Sequence, residues 1–198
     1  YHTAAVSKAV KEALVVADMP AHSYDDPATA LRNARRFLKE SGADAVKLEG
    51  GSKVCDQIKE LIAAGIPVMG HVGMLPQGIG DGKYRVYGKE SAEAKEILED
   101  AKLLDQLGVF SIVLECIPAK LAAEITRAVR CPTVGIGAGP STDGQVLVLQ
   151  DLLGIRSGVS PRFVRRYAKL EEAIQKAVGR FCRDVRKKKF PSKKESFA

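Results

Sequence analysis

Five residues suited to acid–base and metal chemistry occupy equivalent places along this chain. Asp18 follows the apolar run Leu14–Ala17, Lys47 and Glu49 flank Leu48, His71 follows Val68-Met69-Gly70, and Glu115 follows Ile112-Val113-Leu114. Carboxylates supply hard oxygen ligands and general bases, and a lysine supplies a fixed cation for anionic oxygens. A histidine relays protons or binds ligand. Each also has an ordinary structural explanation. Asp18 before Met19-Pro20 suits a turn, Lys47 and Glu49 suit a structural ion pair, a lone histidine suits a hydrogen-bonded core position, and Glu115 suits a helix start. What the five share is position. Each stands at the carboxyl end of a short apolar run, and in a parallel barrel those ends meet around one mouth.

The elements that must hold these residues follow from periodicity. Ala13–Ala17, Ala45–Leu48, Ile66–Met69, Val109–Leu114, Thr133–Ile136 and Val146–Leu149 are short and rich in β-branched residues, as buried strands are. Amphipathic stretches lie between them. Ala28–Ser41 places Ala30, Leu31, Ala34 and Leu38 on one face before Gly42, and Cys55–Ala64 stops at Gly65. Ser91 to about Leu107 has capping-box character and ends before Gly108, and Pro118–Arg130 opens on proline. Residues 161–188 also carry a helical pattern, with a break near Leu170. Repeated strand–helix units predict a parallel α/β sheet, and a doubly wound sheet and a (β/α) barrel both fit the alternation. Gly135-Ile136-Gly137-Ala138-Gly139 allows close backbone approach by a ligand, or simply a tight turn.

Composition narrows the class. With 198 residues and 45% hydrophobic content, the chain suits one globular domain. No apolar run reaches the roughly 18 residues a membrane helix needs, and no basic-then-apolar leader pattern is visible. The chain opens on Tyr1 rather than Met, which suits a processed product, a fragment or an incomplete reading frame. Cys55, Cys116, Cys131 and Cys182 form no CxxC pair, so reduced thiols are expected rather than a disulfide framework or zinc site. Residues 156–198 hold fourteen Lys or Arg against four Asp or Glu, a balance of +10, so residues 1–155 sum to −3 of the total +7. The division expected is a barrel domain over 1–182 and a basic tail over 183–198. That tail lacks interleaved aromatic residues, so a solvated end is expected rather than a nucleic-acid surface.

The sequence resembles the ketopantoate hydroxymethyltransferases. The matching phrases are Val16-Ala17-Asp18-Met19-Pro20, Val46-Lys47-Leu48-Glu49-Gly50-Gly51 and Gly70-His71-Val72-Gly73 with Pro76-Gln77. They continue with Leu114-Glu115-Cys116-Ile117-Pro118, Gly135–Gly139, Thr142–Val148 and Glu195-Ser196-Phe197, in order along nearly the whole chain. The resemblance implies a TIM-type (β/α) barrel of the phosphoenolpyruvate/pyruvate superfamily, incomplete, with about six of eight strands. It implies hydroxymethyl transfer from 5,10-methylenetetrahydrofolate to 3-methyl-2-oxobutanoate, giving 2-dehydropantoate on the route to pantothenate and coenzyme A. The oxo acid would chelate Mg²⁺, which would stabilise its enolate.

Residue by residue, Asp18 matches a metal ligand that also neighbours substrate, and Glu49 matches a second acid at the metal. Lys47 matches the cation that receives the substrate's oxygens, His71 matches a site histidine placed at the substrate, and Glu115 matches the base that removes the C3 proton. No residue is assigned to the folate. The family also implies a homo-oligomer, with no membrane or nucleic-acid partner, in the bacterial cytosol or, in a eukaryote, a mitochondrion.

Departures from the family accompany these matches. Family members carry two further strand–helix units, with a Val-Gly-Asp-Ser phrase supplying another metal ligand and a substrate-binding serine. Their absence predicts weak or no turnover by this chain alone. Leu75 stands where threonine is usual, Gln150 where histidine is usual, and the loop 78–83 is about one residue short. Two other readings share these residues: a Mg²⁺-dependent carbon–carbon lyase or mutase of the same superfamily, or a non-catalytic remnant whose basic tail binds anions.

Overall fold

The computed structural model describes residues 1–79, 85–155, 158 and 161–197. Most of the loop 78–83 lies outside the described residues. Two compact units divide the chain at Val146/Leu147.

The first unit, Tyr1–Val146, holds β1 (Val16–Asp18), β2 (Ala45–Lys47), β3 (Val68–Gly73), β4 (Ser111–Glu115), β5 (Thr133–Ile136) and β6 (Gly144–Gln145). Its helices are α1 (His2–Ala9), α2 (Pro27–Ser41), α3 (Cys55–Ala63), α4 (Pro76–Ile79), α5 (Ser91–Leu107) and α6 (Ala119–Ala128). The six strands form one sheet in the order β1-β2-β3-β4-β5-β6, and every pairing is parallel. A doubly wound sheet reverses its strand order at a switch point, and this one does not. Sequential order identifies an incomplete TIM-type barrel, the question periodicity left open.

Local sequence explains the helix limits. Asp26 caps α2 by accepting the Thr29 N–H at 2.9 Å, Pro27 fills the first turn, and Gly42 ends the helix in a left-handed conformation. α5 spans Ser91–Leu107 as its pattern predicts, but Ser91 is not its cap and no side chain caps it. Glu93 turns instead to the Gly88 N–H at 2.6 Å and to Arg85. The last predicted strand is displaced: pairing occurs at Gly144–Gln145, while Val146, Val148 and Leu149 are exposed. Hydrophobicity alone placed a strand there, but the Thr142 hydroxyl donates to the Gly144 carbonyl and receives the Gln145 amide, holding the chain into the sheet two residues earlier. α1, a helix with no buried residue, was not anticipated.

Side-chain alternation assigns the two faces of the sheet. Ala17, Met19, Val46, Leu48, Val68, Val72, Ile112 and Leu114 enter the core with Ala34 of α2, Ile58 and Leu61 of α3, Ala101 and Leu104 of α5, and Ile125 of α6. Because strand side chains alternate with period two, the residues between these point to the other face. That face carries Asp18, Lys47, Glu49, His71 and Glu115.

The second unit, Leu147–Ala198, holds α7 (Leu149–Leu153) and α8 (Leu170–Arg186). The helix predicted over 161–188 starts only at Leu170. The segment before it is tied down by a non-helical bond, Tyr167 N–H to the Leu152 carbonyl at 2.8 Å, and the first turn of α8 by another, Glu171 N–H to the Gly154 carbonyl at 2.9 Å. Residues 183–186, the first of the basic stretch, belong to α8.

Candidate active site at the carboxyl ends of the strands

Parallel register sets the spacing of the site. Asp18 of β1 lies opposite Lys47 of β2, and Gly73 of β3 lies opposite Glu115 of β4. Glu49 follows β2 by two residues and His71 lies within β3, where its carbonyl accepts the Gly50 N–H at 3.0 Å. All five predicted site residues join one chain of contacts. Lys47 Nζ stands 2.8 Å from Asp18 Oδ1, 3.7 Å from Glu49 Oε1 and 3.2 Å from His71 Nδ1. His71 Nε2 then stands 3.2 Å from Glu115 Oε2.

A lysine ammonium can only donate, so His71 Nδ1 accepts and a neutral imidazole carries its proton on Nε2, facing Glu115. At 3.2 Å that contact lies within reach of a hydrogen bond, but its alignment does not make one. Among the described residues, His71 Nε2 is a buried side-chain nitrogen without a hydrogen-bond partner. Such an atom is costly to leave unsatisfied and is available to a ligand or to a rotated Glu115.

Solvent reaches the five residues unevenly. The Glu49 side chain is 5% exposed and His71 2%, Glu115 and Lys47 are 12% and 13%, and Asp18 is 55%. Burial is the largest influence on Glu49 and pushes its carboxyl above the usual range. The Gln77 N–H, Lys47 and His71 pull the other way, and Asp18 adds to the upward push. Glu49 Oε2 accepts that N–H at 2.9 Å, so Oε1 is the atom turned toward Lys47 and His71. Beyond these lies Tyr24, whose hydroxyl donates to Gln77 Oε1 at 2.8 Å. Burial raises the Tyr24 phenol above its usual value, a hydrogen bond from the Glu49 backbone opposes this, and the carboxylates of Glu49, Asp18 and Asp25 reinforce it. Sequence reasoning assigned no role to Tyr24 or Gln77. Gln77 stood in a matching phrase, whereas nothing in the sequence singled out Tyr24.

The comparisons with known proteins decide what this arrangement belongs to. The family model described as ketopantoate hydroxymethyltransferase matches residues 1–193. The chain belongs to that family. A 3-methyl-2-oxobutanoate hydroxymethyltransferase from Salinibacter ruber is 50% identical over all of this chain and 75% of its own length. Those from Flavobacterium johnsoniae and Thermobifida fusca are 49% and 52% identical, covering 100% and 99% of this chain but 73% and 70% of the relatives. Each relative is therefore longer than this chain. Ketopantoate hydroxymethyltransferases are transferases, which sets aside the lyase and mutase reading. Among the described residues no helix is long and apolar enough to cross a membrane.

Proposed function

We propose that this chain carries a Mg²⁺-dependent hydroxymethyl-transfer site. There a unit from 5,10-methylenetetrahydrofolate joins 3-methyl-2-oxobutanoate to give 2-dehydropantoate for pantothenate biosynthesis. The observation that carries the reading is the contact chain Asp18–Lys47–His71–Glu115, with Glu49 beside it, on one face of the parallel sheet.

The residues fit the metal in donor chemistry. Asp18 Oδ1 and Glu49 Oε1 both turn toward one cationic centre, Lys47 Nζ. Magnesium takes hard oxygens, commonly one or two carboxylates, and fills its remaining positions with water and substrate. Bound there, Mg²⁺ supplies Lewis acidity for the negative charge that develops on the keto oxygen.

The protein's own groups do the rest. Lys47 places a positive charge where the oxygens of a 2-oxo acid are received, and Asp18 at 2.8 Å orients its ammonium. Glu115 takes the C3 proton on its carboxylate, and the nearby His71 Nε2–H, 3.2 Å away, is the donor that a rotated Glu115 or the substrate would meet. Burial of Glu49 and His71 excludes water from the floor of the site. A homo-oligomer acting in the bacterial cytosol on small-molecule partners completes the reading.

Deuterium exchange at C3 of 3-methyl-2-oxobutanoate, followed by proton NMR in D₂O with Mg²⁺, tests this. Slow exchange above the buffer rate is expected even where full hydroxymethyl transfer is weak, because proton removal is only the first step, and Glu115→Gln is expected to abolish it. No exchange, or equal exchange by the variant, refutes the proposal.

A further inference from the structure

Glu49 is held by a polar relay that joins the residue after β1 to α4. The Gln77 N–H donates to Glu49 Oε2 at 2.9 Å, and Gln77 Nε2 donates to the Met19 carbonyl, also at 2.9 Å. The Tyr24 hydroxyl donates to Gln77 Oε1 at 2.8 Å, and buried Gln57 steadies Tyr24 by donating to its carbonyl at 3.1 Å. Met19 directly follows Asp18, and its N–H donates to the Lys47 carbonyl at 3.0 Å. One glutamine thus reaches, directly or through one residue, the backbone that carries Asp18 and the carboxylate of Glu49.

The chemistry of the side chain matters here. Gln77 uses its amide nitrogen as donor to Met19 and its amide oxygen as acceptor from Tyr24. A carboxylate offers only acceptors and an aliphatic side chain offers neither. With Oε2 held by that N–H, Glu49 Oε1 faces Lys47 Nζ at 3.7 Å, the ammonium that Asp18 Oδ1 meets at 2.8 Å.

We infer that Gln77 is a positioning residue that sets divalent-cation affinity: its main-chain N–H holds Glu49 Oε2, its side-chain amide ties that segment to the Met19 carbonyl beside Asp18, and Tyr24 locks the amide, so that Glu49 Oε1 and Asp18 Oδ1 stay turned to the same side of Lys47. The inference rests on the reading of Asp18 and Glu49 as the metal carboxylates. Groups that orient metal ligands in this way typically account for 10- to 100-fold in affinity.

The test is a Mn²⁺ titration of the full 198-residue chain. Free Mn²⁺ is read by electron paramagnetic resonance, and thermal unfolding of each variant is measured alongside. Gln77→Ala is expected to weaken Mn²⁺ by about 10- to 100-fold, and Gln77→Glu to fail to restore it. Tyr24→Phe, which removes a single oxygen and preserves packing, weakens it in the same direction. The double variant Tyr24→Phe/Gln77→Ala binds no more weakly than Gln77→Ala, because Tyr24 acts through Gln77. Wild-type affinity in Gln77→Ala, a loss of thermal stability without a loss of affinity, or losses that multiply in the double variant overturn the inference and leave the metal reading standing. Failure of the wild-type chain to bind Mn²⁺ overturns both.

Discussion

Replacing Gly73 with alanine probes how Glu115 is held. Gly73 closes β3 with φ 95° and lies in register with Glu115, whose carbonyl accepts the Met74 N–H at 2.9 Å. A β-carbon at Gly73 would overlap that carbonyl oxygen and stand 2.8 Å from Ile117 Cγ2. Two costs follow. An L-residue at positive φ costs about 1–2 kcal/mol, and forcing a methyl into filled space costs about 1–3 kcal/mol more. Gly108 provides the control. Its φ is 92°, and an added β-carbon there meets nothing within 4 Å, so only the first cost applies. With a urea slope of about 2 kcal/mol per molar, Gly108→Ala should lower the unfolding midpoint by roughly 0.5–1 M and Gly73→Ala by roughly 1–2.5 M. Far-UV circular dichroism in urea measures both, with the slopes compared to confirm that stability alone has changed. Equal midpoint shifts for the two variants would refute the claim that the Glu115 carbonyl leaves no room at Gly73.

Two further outcomes are expected. Asp105, at the end of α5, accepts the N–H groups of Arg130 and Cys131 at 3.1 and 3.0 Å and Arg130 Nε at 3.2 Å. Burial alone would raise its pKa, but these bonds outweigh burial and hold the carboxyl below its usual range. A depressed folded value means the stabilisation is complete above about pH 4, the unfolded value, and is lost as pH falls through the lower folded one. Asp105→Ala should therefore cost about 1.5–3 kcal/mol at pH 7, with the low end expected because the Arg130 side chain is 84% exposed. The gap between wild type and variant in urea midpoints should narrow below pH 4. Separately, burial pushes the Cys116 and Cys131 thiols up to about 11, with the neighbouring carboxylates Glu115 and Asp105 adding to the effect. At pH 8 such thiols are roughly 0.1% ionised, against about a quarter for an ordinary thiol. Labelling by a thiol-specific disulfide reagent, read by peptide mass spectrometry, should be at least about 100-fold slower at these two cysteines in the native chain than in urea.

Much of this protein was legible because its strands are short and its helices amphipathic. The Gly108 stop and the apolar stripe of α5 define that helix without tertiary information. Alternation along Ala45–Glu49 already separates Val46 and Leu48 from Lys47 and Glu49, and the apolar core then decides which pair points to the other face. The carboxyl-end positions of Asp18 and Glu115 are likewise sequence facts, whereas β3 runs on to Gly73 and so takes His71 inside the strand. What sequence could not supply is lateral order. Strand–helix alternation is the same in a barrel and a doubly wound sheet, and only pairing between strands separated by a helix distinguishes them.

The sixth strand shows the same division. Apolar content marked Val146–Leu149, but the bonds of Thr142 set pairing at Gly144–Gln145. The support of Glu49 was invisible for a similar reason. Tyr24 and Gln77 are 53 positions apart, and polar groups carry no periodicity that announces a distant partner. Residue types and their spacing along each strand determined the chemistry on offer. Parallel register, a long-range property, decided which side chains touch: it set Asp18 beside Lys47 and brought His71 between Lys47 and Glu115.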